Sequence, residues 1–358
     1  MGRPRSQPQL RHRACQSTGV RPLARRPPEG FRRQLPPPRR PDPPPPRHPF
    51  RAVNTPSLPR RRFLRQTAAA GAVVALARAG APTSPPAPAP DAPPGIVDTH
   101  VTLFRWPFRR LKYDATPALV AKLRRHRITE AWAGTHEALL HKDLAGANER
   151  LAAECRAHGA GLLRPFGSVN LAWPDWEEDL RRCHEEHRMP GLRLFPGYQT
   201  FDLSHPDLGR LIQLTAERGL ILQIVFQMED PRVHHPLLSL PVIDARPLVP
   251  LLERTPAARV QLLHFAGNVA GTDLRALVDR TGAWFEFSRW EGNGRLGQLI
   301  RPGPGGARPP VPESRVLFGS HAPYFPVETG LLRLFESPLD AETLHALMHR
   351  NARRLLPA

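Results

Sequence analysis

From Ile96 onward the chain alternates short apolar runs with longer amphipathic stretches. The runs are IVDTHV from Ile96, ITEAWAG from Ile128, GLLRPFGSV from Gly161, GLRLF from Gly191, LILQIVF from Leu220, RVQLLHF from Arg259, AWFEFS from Ala283 and RVLFGS from Arg315. Between them, TPALVAKLRRH, LAGANERLAAECRAHG, WPDWEEDLRRCHEEH, LGRLIQLTAERG and DLRALVDRTG place apolar residues three or four apart with charges between, the spacing of a helix with one buried face. Eight strand-like runs separated by helical ones predict parallel βα units. The 263 residues from 96 to 358 are the usual size of a (β/α)8 TIM barrel. A doubly wound sheet is the alternative, but it does not ordinarily need eight units, and no GxGxxG follows the first run. The seventh unit is the weakest, because GNGRLGQLIRPGPGGARPP gives only a stub of helix before a Gly/Pro loop.

Ahead of Ile96 the periodic pattern is missing. Residues 1 to 95 hold 18 Arg, no Lys, 3 Asp+Glu and 23 of the 45 Pro, which leaves the body only +4 of the formal +19. Nucleic-acid binding needs basic charge clustered on a folded face beside aromatic residues or a recognisable motif. Here the charge lies in a Pro/Arg tail, so no nucleic-acid partner is expected. Residues 1–59 read as a disordered Arg/Pro-rich extension. In RRRFLRQTAAAGAVVALARAGAP, Arg60 to Pro82, paired arginines precede Phe63-Leu64, a weakly apolar run and small residues suited to cleavage. This resembles a twin-arginine export signal over 60–81, which implies a periplasmic or extracytoplasmic protein. A low-complexity tail on a cytoplasmic protein is the alternative. The apolar run is too short for a membrane span, and 82–95 reads as a Pro-stiffened linker. Cys15, Cys155 and Cys183 show no CxxC or Cys/His spacing, so the thiols of the body are expected to be buried and inert.

A parallel barrel collects its chemistry where the strands end. His100 ends the first run, His136 follows the second, Gln227 and Glu229 follow the fifth, His264 ends the sixth and His321 follows the eighth. Arg193 in the fourth run is a candidate to clamp a substrate carboxylate through a two-pronged hydrogen bond, a strand-to-helix salt bridge being the alternative. Trp106, flanked by Arg105 and Arg109, either walls the pocket or packs under a loop. His234-His235 suit a lid rather than ligation. His184 and His187 belong to an outer helix.

The stretches DTHVTLFRWPF, LLHFAG, VLFGSHAPY and NARRLL, in this order, resemble the amidohydrolase-related, metal-dependent TIM-barrel hydrolases (amidohydrolase family 2) over essentially 96–358. That group includes hydrolases and nonoxidative decarboxylases of small carboxylic acids. The resemblance implies a small-molecule substrate and admits a homodimer. Its pattern begins with H-x-H on strand one, where Thr102 takes the second place. It continues with a histidine on strand five, near Val225, where this chain has none. It ends in G-S-D, where His321 replaces the aspartate. Strand six alone is intact, with His264 in place, so this is a divergent member with altered ligands.

Three readings of the cluster remain. His100, His264 and His321 form a new three-nitrogen site for Zn2+ or another divalent ion, bringing a bound water's pKa to about 7, with Glu229 or Asp98 orienting a ligand or accepting the proton. Alternatively, no metal binds, and His264 or His321 is a general acid–base tuned by a carboxylate, Glu229 being the first candidate. The third reading is a catalytically inactive barrel that binds a partner or serves a structural role. The expected function is hydrolysis or nonoxidative decarboxylation of a small organic acid, ester, lactone or amide. Arg193, Gln227 and Glu229 are its substrate-binding candidates, and His264 and His321 its catalytic ones.

Overall fold

A computed structural model describes residues 95–357. The extension 1–59, the signal 60–81 and all but Gly95 of the linker 82–95 lie outside the described residues. Eight strands follow one another: β1 (Ile96–Leu103), β2 (Ile128–Thr135), β3 (Leu163–Gly167), β4 (Gly191–Leu194), β5 (Ile221–Val225), β6 (Arg259–Leu263), β7 (Trp284–Glu286) and β8 (Val316–Leu317). They pair in parallel in chain order. The last segment returns to the first through a bridge between Val101 and Ala322 and a 2.9 Å bond from the His321 N–H to the His100 carbonyl. The result is a nearly closed (β/α)8 TIM barrel, as the alternation predicts.

Each strand is followed by a helix: α1 (Thr116–Arg125), α2 (Leu144–His158), α3 (Trp176–Glu185), α4 (Leu208–Glu217), α5 (Leu248–Arg254), α6 (Gly271–Arg280), α7 (Arg295–Ile300) and α8 (Val327–Glu336). Two short helices, α9 (Ala341–His345) and α10 (Asn351–Leu355), complete the chain. Helix α4 shows why the spacing works, since Leu208, Leu211, Ile212, Leu214 and Thr215 turn inward while Arg210, Gln213 and Glu217 face out. As expected, α7 is a stub. Among the described residues no helix is long and apolar enough to cross a membrane. Cys155 and Cys183 are buried free thiols, and burial pushes both up to about 12.

The barrel interior is layered. At the base Val97, Trp132, Phe166, Ile221 and Leu317 pack with Ala352 and Leu355 of α10. Above them lies a buried polar layer. Arg193 Nε donates to Gln223 Oε1 (2.8 Å), and Gln223 Nε2 to Gln261 Oε1 (2.7 Å) and the Thr99 carbonyl (2.9 Å). Gln261 Nε2 donates to Thr99 Oγ1 (2.8 Å). The remaining reach of Arg193 goes to the Val101 and Trp132 carbonyls (2.8 and 3.0 Å) and to Thr102 Oγ1 (3.2 Å).

This corrects the expectation for Arg193. It does face the barrel axis, but its guanidinium is committed to the wall and interior. Full burial and four partners make it a structural tie instead of a carboxylate clamp or a strand-to-helix salt bridge.

Candidate metal centre

The three rim histidines meet. The ring centroids of His100 and His264 are 4.4 Å apart, of His100 and His321 4.8 Å, and of His264 and His321 4.1 Å. All three are completely buried.

Local backbone irregularity brings them there. Between Asp98 and Val101, β1 carries one residue more than its partner β2. A bulge of this kind re-aims side chains, and here both Thr99 and His100 reach into the barrel. His264, directly after β6, has φ 56°, and His321, after β8, has φ 57°. These are left-handed conformations that histidine tolerates better than most residues. They cost about 1–3 kcal/mol each, persist only where the surroundings over-determine them, and cluster at functional sites.

The hydrogen bonds set the tautomers. His321 Nε2–H donates to the Met228 carbonyl (2.9 Å), which leaves Nδ1 with its lone pair. His100 Nδ1 lies 3.3 Å from Glu286 Oε2. Among the described residues, His100 Nε2, His321 Nδ1 and both ring nitrogens of His264 are buried without a hydrogen-bond partner. Burial holds all three imidazoles well below their ordinary pKa, reinforced at His100 by Arg193 and at His264 by its histidine neighbours. They are therefore neutral at pH 7, the form that ligates metals. The same burial lifts the carboxyls of Glu286 and Asp98 to about 7.

One candidate ligand atom from each residue lies within 4.8 Å of the others. Three such atoms share a centre about 2.8 Å from each at most, so contraction of under ~1 Å reaches a zinc–nitrogen distance. Orphaned buried nitrogens, neutral imidazoles and this spacing fit a divalent ion. The family's ordinary ligand set does not fit: Thr102 Oγ1 accepts from Arg193, and Val225 packs in an apolar cluster with Trp106 and Met228.

Other predicted residues fall elsewhere. Glu229, expected beside a histidine, is buried one layer higher. Its Oε2 accepts from the Tyr324 hydroxyl and from Arg109 Nη1 (3.2 Å). Tyr324 in turn stacks on His321 at 4.8 Å. The carboxylate touching a histidine ring is Glu286, which sequence reasoning missed. Asp98 holds backbone instead, accepting from the N–H groups of Ser320 (2.9 Å) and His100 (3.1 Å). Gln227 accepts from Asn268 Nδ2 (3.2 Å), tying the loops after β5 and β6 together. His234 and His235 stay off the cluster; His235 stacks on Phe108.

Trp106 both walls the site and packs under the first loop, edge-on to Tyr324 at 5.2 Å and to His136 at 5.4 Å. Around this aromatic cover four further buried atoms lack partners among the described residues: Trp106 Nε1, His136 Nε2, Tyr198 Oη and Glu229 Oε1. His136 Nδ1–H donates to the Phe104 carbonyl (3.1 Å), so its free Nε2 is an acceptor. The four thus offer two donors and two acceptors. Arg289, also missed, keeps an unpartnered Nη1. It lines a cleft of about 660 Å³ with Arg275, Trp290, Glu291 and Arg295, close enough to hold down the charged forms of His264 and His321.

The fold has solved counterparts. The 2,6-dihydroxybenzoate decarboxylase from Rhizobium is 14% identical, with a TM-score of 0.54 over 73% of this chain and 98% of that one. A putative amidohydrolase from Staphylococcus aureus is 10% identical, with a TM-score of 0.54 over 74% and 100%. A dihydroxybenzoic acid decarboxylase from Polaromonas, solved with manganese and the inhibitor 2-nitroresorcinol, is 12% identical, with a TM-score of 0.54 over 73% and 96%. No curated protein matches the chain at a significant level. The amidohydrolase family model matches residues 97–358, so the chain belongs to the amidohydrolase family.

Proposed function

We propose that the chain is a metal-dependent hydrolase or nonoxidative decarboxylase of a small organic acid, ester, lactone or amide, with His100, His264 and His321 holding the ion. The observation that carries this reading is the convergence of unpartnered, neutral ring nitrogens in a completely buried cluster. Leaving such groups unsatisfied is costly unless a ligand takes them up. Zinc suits an all-imidazole set, whereas manganese, present in the Polaromonas structure, prefers oxygen donors. When bound, the ion supplies Lewis acidity, polarising a carbonyl or carboxyl oxygen.

The chain's own residues supply the rest. Trp106 and Tyr324 exclude water above the histidines. Trp106 Nε1–H and Tyr198 O–H donate to a substrate oxygen, while His136 Nε2 and Glu229 Oε1 accept from its polar hydrogens. Arg289 Nη1 favours an acid, because a carboxylate satisfies it.

The metal-free reading is weaker. Among the described residues no carboxylate acts on the His264 ring, and imidazoles held neutral this firmly make poor proton donors at pH 7.

Metal analysis of the full-length chain tests the proposal. About one zinc per chain is expected, lost in His100→Ala and in His264→Ala. No metal retained after loading with Zn2+ or Mn2+ would overturn it. Ester, lactone, amide and carboxylic acid substrates then separate a working enzyme from an inactive barrel, with His264→Ala as control.

Export belongs to the same proposal and is supported by the RRxFL pattern at Arg60–Leu64. Arg60→Lys with Arg61→Lys is expected to retain the protein in the cytoplasm, as cell fractionation would show.

A further inference from the structure

We infer that Glu286, braced by Ser288, is a positioning residue that decides which nitrogen His100 presents to the ion; this rests on the three-histidine reading. His100 of β1 and Glu286 of β7, the two strands that flank β8, meet inside the barrel, with Nδ1 3.3 Å from Oε2 and both side chains completely buried. Ser288, two residues on, donates its hydroxyl to Oε2 (2.9 Å) and its backbone N–H to Oε1. The glutamate cannot swing away, because both its oxygens are tied to the residue that follows its own strand.

Room for this arrangement comes from the segment just after β8. A Cβ at Gly319 would lie 2.6 Å from Glu286 Cγ, 2.7 Å from Oε1 and 2.8 Å from Cδ. Glycine at 319 is what lets the carboxylate lie alongside the ring. Both oxygens of Glu286 already serve as acceptors for Ser288, so Oε2 also accepts from His100, which puts the hydrogen on Nδ1 and leaves the lone pair on Nε2. That Nε2 is the nitrogen without a partner. His321 is fixed in the opposite tautomer by the Met228 carbonyl. Neither ring nitrogen of His264 has a hydrogen-bond partner among the described residues. Carboxylate-to-histidine contacts of this type orient metal ligands and raise their basicity. The other buried carboxylate nearby, Asp98, spends Oδ1 on the backbone N–H groups of Ser320 and His100, while its Oδ2 has no partner among the described residues.

The test uses the full chain and reads metal binding, not turnover. Zn2+ affinity is measured by competition with a chromophoric chelator, and ligand geometry from the visible spectrum of the Co2+-loaded protein. Glu286→Ala is expected to bind Zn2+ about 10- to 100-fold more weakly and to alter the Co2+ spectrum. Glu286→Gln, whose amide oxygen still accepts from Nδ1–H, is expected to recover most of the affinity. Should Glu286→Ala fail to fold, Ser288→Ala frees the carboxylate without deleting it, and its Co2+ spectrum is expected to change. Wild-type affinity and spectrum in a folded Glu286→Ala, or failing that in Ser288→Ala, would overturn the inference. Absence of metal from the wild-type chain would instead overturn the site itself.

Discussion

Arg193 occupies the space that a side chain at residue 134 would need: a Cβ on Gly134 would stand 2.6 Å from Nη1 and 2.9 Å from Cζ. An arginine tip ordinarily yields, but this one is held by Gln223, Thr102 and the carbonyls of Val101 and Trp132. Gly134→Ala is therefore expected to cost about 1–3 kcal/mol through overpacking. At roughly 2–4 °C per kcal/mol for a domain this large, the loss shows as a drop of several degrees in Tm. A variant melting like the wild type would mean that the guanidinium is not fixed.

His136 gives the folded chain an acid-sensitive term. Burial lowers its pKa to about 4, whereas an unfolded histidine titrates near 6.5. The unfolded state thus takes up the proton first as pH falls. The stabilisation is fully present above about pH 6.5 and is lost progressively between 6.5 and 4, by up to ~1.4 kcal/mol per pH unit. His136→Asn can keep a donor to the Phe104 carbonyl, and it should flatten the pH dependence of the urea midpoint by that amount. An unchanged slope would contradict burial of a neutral His136.

Cys155 and Cys183 should resist alkylation. With both thiols pushed up to about 12, thiolate at pH 8 is scarce and sterically shielded. Native-state modification by iodoacetamide is expected to be roughly a thousandfold slower than in urea. Peptide mapping that found either cysteine labelled quickly in the native chain would exclude this environment.

His321→Asp would put a carboxylate where the family resemblance expects one. Aspartate tolerates the left-handed backbone at this position. Exchanging a nitrogen donor for oxygen should shift preference from Zn2+ toward Mn2+, by tenfold or more in the affinity ratio measured by competition. An unaltered ratio would argue that residue 321 is not a ligand.

The barrel and its histidine cluster were legible because both depend on period and position. Apolar runs at regular spacing define the strands, and a histidine at the end of a strand projects onto the rim whatever the details. Glu286 was not legible: β7 has only three residues, and a single glutamate in AWFEFS carries no mark of facing inward. Nor does sequence disclose the extra residue in β1 that turns Thr99 and His100 the same way. Arg193 was placed on the correct face with the wrong occupation. Facing the axis is a property of one strand, whereas being saturated there depends on Gln223, Gly134, Thr102 and carbonyls of β1 and β2.

Beneath the histidines, Arg193, Gln223, Gln261 and Thr99 form a closed hydrogen-bonded tier, and below it Trp132 and Phe166 stack at 5.2 Å. That double seal makes the cluster the blind end of a passage, not a station along a channel. An ion, a proton or a reactant is therefore expected to come and go on the opposite side from this tier, where Trp106 and Tyr324 pack against each other and Tyr324 against His321. Entry and exit then share one side of the barrel, so smaller side chains at 106 and 324 are expected to speed the exchange of the cluster's contents.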